Sequence, residues 1–399
     1  MDALGNLLIS ALSFVAVLSV VVFVHEFGHF QAARWLRVAI DTFSIGFGKT
    51  LAGWQDKQGV TWKIGALPLG GYVKFTGDAD AVSSGPAEPI ADEHAKAVAR
   101  AKGLFHAQPI WIRAIVVAAG PFTNFLFSIV AYAALAMVIG IDDTDLSVVR
   151  PHIVSVAPDT AAAAAGLQPG ETIEAVDGRP ARGVDAFREL IASSPGREMS
   201  LTLVNANGET RVVAVAPRSD STLGEPRGLL GVGLGVRADE RVIIEHPDPI
   251  RAVSVGAAQT WNIISMTVDY LGQVLTGRAS GRDIAGPVGI FMHSGTVTKS
   301  ALEAADQTSP LDSVRTVGLS LLNWAALLSV AVGFVNLLPI PILDGGHLMF
   351  YAVEAVRGGR PLPAIAQEWA FRAGLVMMAG LFLFATWNDI SRGLASASG

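Results

Sequence analysis

The residues with the clearest chemical potential are His25-Glu26-Phe27-Gly28-His29. Positions four apart share one face of a helix, so His25 and His29 can offer two imidazoles to one metal ion. Glu26 then lies beside that ion, placed to take a proton from a bound water. The chain contains no Cys, so thiolate ligands are excluded and any further ligand must be His, Asp or Glu.

A helix has to carry this pentad, and the neighbouring residues say where it runs. No charged residue occurs from Ala3 to Val24, a run of about 33 Å at 1.5 Å per residue, enough to cross a bilayer core. It lacks a basic leading region and a small-residue cleavage site, so it reads as a retained span. The next basic residue is Arg34. With Arg34 at the interface, His29 lies roughly 8 Å and His25 roughly 14 Å inside it, within the membrane. Composition agrees: 51% of the 399 residues are hydrophobic and only 16% charged, against roughly a quarter charged in soluble domains. The net charge of −6 argues against a nucleic-acid partner.

Three more stretches read as spans. Ala114–Ile141 and Thr316–Leu343 are free of charge, and Trp369–Trp387 is interrupted only by Arg372, which can snorkel. Basic residues cluster after the first span (Arg34, Arg37, Lys49, Lys57, Lys63, Lys74) and after the third (Arg357, Arg360), whereas Asp142, Asp143 and Asp145 follow the second. The positive-inside rule then puts both termini and the long central segment outside. Spans one and three run in the same direction, so their C-terminal ends lie at similar depth. The third ends in Asn336-Leu337-Leu338-Pro339-Ile340-Pro341-Ile342-Leu343-Asp344-Gly345-Gly346-His347. Two prolines must break that helix, and a carboxylate in the break is costly unless paired or metal-bound. Asp344 is therefore the expected third ligand, leaving one position of the ion open for water. His347, three residues on, is a competitor.

HEFGH in a first span with NLLPIPILDGGH in a later one resembles the site-2 protease family of intramembrane zinc metalloproteases, closest to its regulator-of-sigma-E protease branch. Ser44–Lys49 (SIGFGK), Pro68–Lys74 (PLGGYVK), Ala118–Phe125 (AAGPFTNF) and Gly286–Ile290 (GPVGI) are also similar to that branch. The resemblance implies Zn2+ held by His25, His29 and Asp344, Glu26 as catalytic base, and cleavage within the span of single-pass proteins. It implies anti-sigma factors, and signal-peptide remnants, as substrates, already trimmed by an upstream site-1 protease. It further implies a bacterial inner membrane, with the termini and a PDZ domain on the periplasmic side. Two departures stand out. Well-known members carry two tandem PDZ domains where this chain has room for one, and Ala331 stands where some members have an Asn.

The expected fold is a polytopic α-helical membrane protein with four transmembrane helices, a membrane-associated β-hairpin loop and one extracytoplasmic α/β PDZ domain. Its parts are a first span (1–37), a β-loop (38–75), a cytoplasmic loop (76–109), a second span (110–141), the PDZ domain (145–240), an interfacial amphipathic helix and connector (248–315), a third span (316–347) and a fourth (361–392). In the β-loop, Thr42–Phe47, Val60–Leu67 and Tyr72–Phe75 are short β-prone runs between turn signals. On the residues alone this is a cytoplasmic hairpin; the resemblance implies a loop re-entering the membrane. An exposed strand edge could hold an unwound substrate by its backbone, with Gly46, Gly48, Gly70, Gly71 and Asn336 as candidate contacts. Residues 76–108 carry Asp78, Asp80, Glu88, Asp92 and Glu93 and suggest a loop with a short helix near Glu93–Lys102.

In the central segment Val148–Val156 reads as a strand, the Ala161–Ala165 run as a small helix stopped by Gly166, and Asp177-Gly178 as a hairpin turn. AGLQPGE followed by VDG resembles a circularly permuted PDZ domain, with Gly228-Leu229-Leu230-Gly231-Val232 as the strand bordering its groove. Such a domain either reads a peptide C-terminus or serves as a steric cover. Ile250–Leu275 mixes apolar residues with Arg251, Gln259, Asn262 and Asp269, the pattern of an interfacial helix. Two other function classes compete with hydrolysis. A silent membrane scaffold binding through its PDZ domain has no reason to keep Glu26, and a transporter would show paired inverted repeats, which are not visible.

Overall fold

The computed structural model describes residues 3–77, 93–142, 149–181, 183–220, 227–237, 244–281, 286–305 and 309–398. Asp78, Asp80, Glu88, Asp92, Asp143, Asp145 and Val148, named above, lie outside the described residues. The chain divides into two compact units, Met1–Met137 with Asp248–Val274 and Ala279–Gly399, and Val138–Pro247 with Leu275–Arg278.

In the first unit, α1 (Ala3–Trp35) leads into two long antiparallel strands, β1 (Ile40–Gln55) and β2 (Thr61–Phe75), then α2 (Glu93–Ala101) and α3 (Ile110–Ile139). The strand pairing extends past the short runs expected from sequence. Ile40–Ile45 pair with Gly71–Phe75 on one side and with 61–64 on the other, while Thr50–Gln55 pair with 61–65. Four segments thus lie side by side, with Gly71–Phe75 at one edge. The bend that allows this falls at Gly46, whose φ of +86° suits glycine and whose backbone lies against Leu67 and Gly65. At the hairpin tip, Arg34 Nη2 pairs with Asp56 Oδ2 at 2.8 Å, fixing the turn to the end of α1. Asp56 also accepts the Gln58 and Val60 N–H groups. Burial opposes ionisation of Asp56, but these bonds and Arg34 outweigh it and hold its pKa below the ordinary value.

The second unit begins with β3 (Ile141–Asp142), followed by β4 (His152–Val156), α4 (Ala161–Ala164), β5 (Thr172–Val176), β6 (Arg179–Pro180), α5 (Val184–Ala192), β7 (Met199–Val204), β8 (Thr210–Val215), β9 (Arg218–Asp220), β10 (Arg227–Leu229), β11 (Val232–Gly235) and β12 (Ile244–Glu245). One sheet runs β11-β4-β5-β7-β8, with β6 on β5. Alternation in β7 turns Met199, Leu201 and Leu203 inward onto Ile153, Ile173, Phe187 and Ile191. Asp177 and Gly178 take φ of +50° and +74°, the backbone of a tight primed hairpin turn. One expectation is corrected: 228–232 is not a continuous strand. Gly228 and Leu229 pair with β9, while Leu230 and Gly231 form a link that accepts the Ala162 and Ala157 N–H groups. Gly231 has φ +81° and ends the strand there.

The first unit resumes with α6 (Pro249–Leu275), α7 (Pro287–Ala305), α8 (Pro310–Asn336), α9 (Asp344–Val356) and α10 (Ala364–Ser398). Among the described residues, four helices are long and apolar enough to cross a membrane: Leu4–Trp35, Ile110–Ile139, Pro310–Asn336 and Ala364–Arg392. The third is shorter at its C-terminal end than expected, because its helix stops at Asn336 and Asp344 opens a separate one. α7 was not anticipated. It lies on α1, where Ser13 and Thr298 hydroxyls bond at 2.7 Å and Gly295 meets Ser10. Asp389 of α10 accepts the Gly286 and Gly289 N–H groups at the start of α7. Val17 and Val21 of α1 pack on Ala325 and Leu328 of α8, so the two helices run side by side toward the histidines.

Glu171 in the sheet-rich unit is almost enclosed, its side chain 6% exposed, and is bonded by Arg211 at 2.6 and 2.9 Å and by the Gln168 N–H at 2.8 Å. Burial opposes its charge, but these donors outweigh burial and lower its pKa. A depressed carboxyl contributes its full stability above the ordinary glutamate range and loses it as pH falls through the lowered value. Glu171→Gln is expected to cost about 1–3 kcal/mol at neutral pH and to flatten the acid side of the profile. Hydrogen exchange at β5 and β7 amides in the full chain reads this; unchanged protection at pH 7 would contradict it.

Candidate active site

α1 carries His25 and His29 one turn apart, and both rings point toward the start of α9. His25 Nε2 stands 3.2 Å from His29 Nε2 and 3.2 Å from Asp344 Oδ2, and His29 Nε2 stands 3.5 Å from the same oxygen. All three side chains are mostly enclosed, 11%, 11% and 18% exposed. Among the described residues this is the one group of three such side chains able to hold a metal ion.

The donor set fits zinc. Tetrahedral zinc with bonds of about 2.0–2.1 Å separates its ligand atoms by about 3.3–3.4 Å, and the observed triangle has sides of 3.2, 3.2 and 3.5 Å. Asp344 Oδ2 is buried without a hydrogen-bond partner, an arrangement a carboxylate tolerates when a cation faces it. His29 Nδ1 lies 2.9 Å from the Val116 carbonyl, so that nitrogen carries the proton and Nε2 keeps its lone pair for a ligand.

Local structure explains how these atoms meet. Pro339 and Pro341 cannot continue α8, and 337–343 form tight turns through Ile340 N–H to Leu338 O and Leu343 N–H to Ile340 O. Asp344 is the first residue of α9, where the helix dipole favours a carboxylate. Gly345 and Gly346 follow because the carbonyls of Leu337, Leu338 and Ile340 press against them; a Cβ at either position would meet one at 2.3 Å. Farther along, Glu354 of α9 pairs with Arg113 of α3 at 2.6 Å, both side chains mostly buried. That bond fixes α9 one turn from Val116.

α1 and α3 approach through glycine. A Cβ on Gly28 would lie 2.4 Å from the Ala119 carbonyl, and one on Gly120 would lie 2.2 Å from His29 Nε2. Pro121, inside α3, has no N–H for the carbonyl four residues before it, which loosens the turn beside Val116. The signal for Gly120 was present in AAGPFTN, but which side chain it makes room for is not written in the sequence.

The other expected residues divide. Gly71 comes against Glu26: a Cβ there would be 2.8 Å from the Glu26 Cγ and from the Ser44 carbonyl. Gly70 lies on the Phe47 ring, and Gly46 and Gly48 form the bend of β1. Asn336 gives its Nδ2–H to Val332 O of its own helix at 3.0 Å. His347 stands apart from the three-donor cluster, its ring against Phe350 and Phe371. Gly228, Leu229, Leu230 and Gly231 belong to the sheet-rich unit. There a Cβ on Gly228 would meet the Ile191 carbonyl at 2.1 Å, so the end of α5 abuts that point.

The family model for peptidase family M50 matches residues 13–381. An Agrobacterium fabrum protein whose name describes a zinc metalloprotease is 39% identical over 396 residues, covering 98% of each chain. Metalloprotease MmpA of Caulobacter vibrioides is 39% identical over 394 residues, 96% of each. The regulator of sigma-E protease RseP of Escherichia coli is 29% identical over 474 aligned positions, 95% of this chain and 98% of its own.

Gly120→Ala should force the His29 ring from its place beside α3 and lower the zinc retained by purified protein on the order of tenfold, as displaced support of a ligand does. Metal analysis after dialysis reads the loss. Full zinc content would mean that α3 can recede without moving the ring.

Proposed function

The chain belongs to peptidase family M50 and is a zinc metalloprotease of the membrane; from that premise we propose that it cuts peptide bonds within the transmembrane segments of single-pass proteins. The observation that carries this reading is the convergence of Asp344 on His25 and His29, which flank Glu26 on a helix long and apolar enough to span a bilayer. His25, His29 and Asp344 are the ligands. Zinc bound there lowers the pKa of a water toward about 7 and polarises the scissile carbonyl.

The remaining work belongs to the chain itself. Glu26 accepts the proton of the attacking water and returns it to the departing amine. The Gly71–Phe75 edge receives the unwound substrate as an added strand, which presents its carbonyls without demanding particular side chains. Two features support this: Gly71 abuts Glu26, and among the described residues that edge has a strand partner on one side only. Non-helical backbone is tolerated at membrane depth where protein surrounds it, and Phe23, Phe30, Phe43 and Trp62 pack around the base of this loop. Gly46, Gly48 and Gly70 shape the loop; Asn336 is available to substrate through its Oδ1.

The substrates are proteins already trimmed by a first protease on the outer side, of the anti-sigma-factor type, in a bacterial inner membrane with both termini in the periplasm. The name of the relative RseP and the charge bias of the flanking segments support this assignment. The sheet-rich unit is a single PDZ domain. Its strands flanking a short helix, and the place of β11 at the end of the strand order, support that reading. So does the alignment of 474 positions with RseP, which must open gaps opposite 399 residues. With α5 pressed on Gly228, a peptide added as a strand would pair with Val232–Gly235 of β11. α6 lies at the interface as an amphipathic helix.

Glu26→Gln should keep zinc while cleavage of a transmembrane reporter peptide falls by about 10²–10⁴-fold, and Asp344→Ala should lose zinc and cleavage together. A Glu26→Gln protein that still cuts would remove Glu26 as the base, and full zinc in Asp344→Ala would remove Asp344 from the ligands. Deleting 145–240 should broaden the range of reporters cut, in particular those with bulky ectodomains. A folded, zinc-loaded deletion that cuts nothing would refute the filter role.

A further inference from the structure

Asn124 is fully buried in the middle of α3, and a buried amide is stable only when its polar ends are paired. Its backbone is held in place from α8, where Ser329 Oγ donates to the Asn124 carbonyl at 3.1 Å and Gly333 leaves room for the Asn124 Cβ. The side chain reaches α1: Nδ2 stands 3.1 Å from His25 Nδ1. Its Oδ1 is buried with no partner. The amide is thus paired at one end only, the end that faces the His25 ring.

That choice sets the chemistry of His25. With Nδ2 donating to a bare Nδ1, the proton of a neutral imidazole sits on Nε2, the nitrogen facing His29 and Asp344. A proton there opposes a cation. A half-turn of the amide, which hardly changes its shape, puts Oδ1 where Nδ2 stood. Nδ1 then carries the proton and donates it to Oδ1, and the Nε2 lone pair is released. Val116 O already does this for His29. We propose that Asn124 is the positioning residue that fixes the tautomer of His25 for zinc, its carbonyl oxygen accepting the Nδ1 proton. The proposal rests on the zinc-ligand reading given above. The half-turn gives the unpartnered oxygen a donor and leaves Nδ2 where the oxygen stood.

The test uses the full-length protein in detergent and reads metal binding, not proteolysis. In competition with a calibrated chelator, Asn124→Leu, of similar volume but with no acceptor, should bind zinc about 10–100-fold more weakly than wild type. Asn124→Asp, which can accept the same proton, should stay within a few-fold, and Ser329→Ala, which removes only the helix contact, should do likewise. Nitrogen-15 NMR of histidine-labelled, zinc-loaded wild type should show His25 protonated at Nδ1 and bound through Nε2; this measurement needs no variant to fold. Undiminished affinity in Asn124→Leu, an equal loss in Asn124→Asp, or an unprotonated Nδ1 in wild type would each overturn the assignment. A wild type that takes up no zinc would overturn the ligand reading beneath it and the assignment with it, and is told apart by failing before any substitution is made.

Discussion

A bilayer core offers polar atoms no water, so polar groups on helices that cross it have to find their partners within the protein. That constraint accounts for most of the arrangement. His29 turns its Nδ1 to the carbonyl of Val116, His25 turns its own to Asn124, and both leave their other nitrogens facing Asp344. Ser128 and Ser329 donate to backbone carbonyls across the α3–α8 contact, tying the helix that carries Asn124 to the one that leads to Asp344. These bonds link α1, α3 and α8 around the three-donor cluster.

Close approach is the second requirement, because a hydrogen bond between helices demands backbones nearer than large side chains permit. Gly28 and Gly120 bring α1 onto α3, Gly333 brings α8 onto α3, and Gly345 with Gly346 lets the broken segment fold against the start of α9. The outward faces need none of this. Leu7, Leu8 and Leu12 of α1 and Val376, Leu383 and Trp387 of α10 remain exposed, apolar surface suited to lipid. The same helices are therefore small and polar toward the site and bulky and apolar away from it.

Elements were legible where their signal was local. The Glu93–Lys102 helix, the Ala161 helix stopped at Gly166 and the Thr210–Val215 strand lie close to where periodicity and turn residues put them. α7 escaped, since GPVGIFMHSGTVTKSALEAA has neither a clear apolar stripe nor enough hydropathy to mark a span. Its course is fixed by contacts from elsewhere, with Asp389 capping its first turn and Ser10 and Ser13 meeting its middle. The strand at 228–232 failed for a related reason: Gly231 takes a left-handed backbone because Leu230 and Gly231 must both turn their carbonyls to the residues around α4.

By itself the sequence determined which groups could do chemistry. Donor type, helical spacing, uncharged length and a proline break are local properties, and they singled out His25, Glu26, His29 and Asp344 from two short motifs. Only the tertiary structure decided what surrounds them: the Val116 carbonyl behind His29, the Asn124 amide behind His25, Gly120 beneath the ring and Gly71 against Glu26. Those neighbours are 45 to 99 positions distant along the chain. Shape fitted across helices leaves no periodic mark in any one of them.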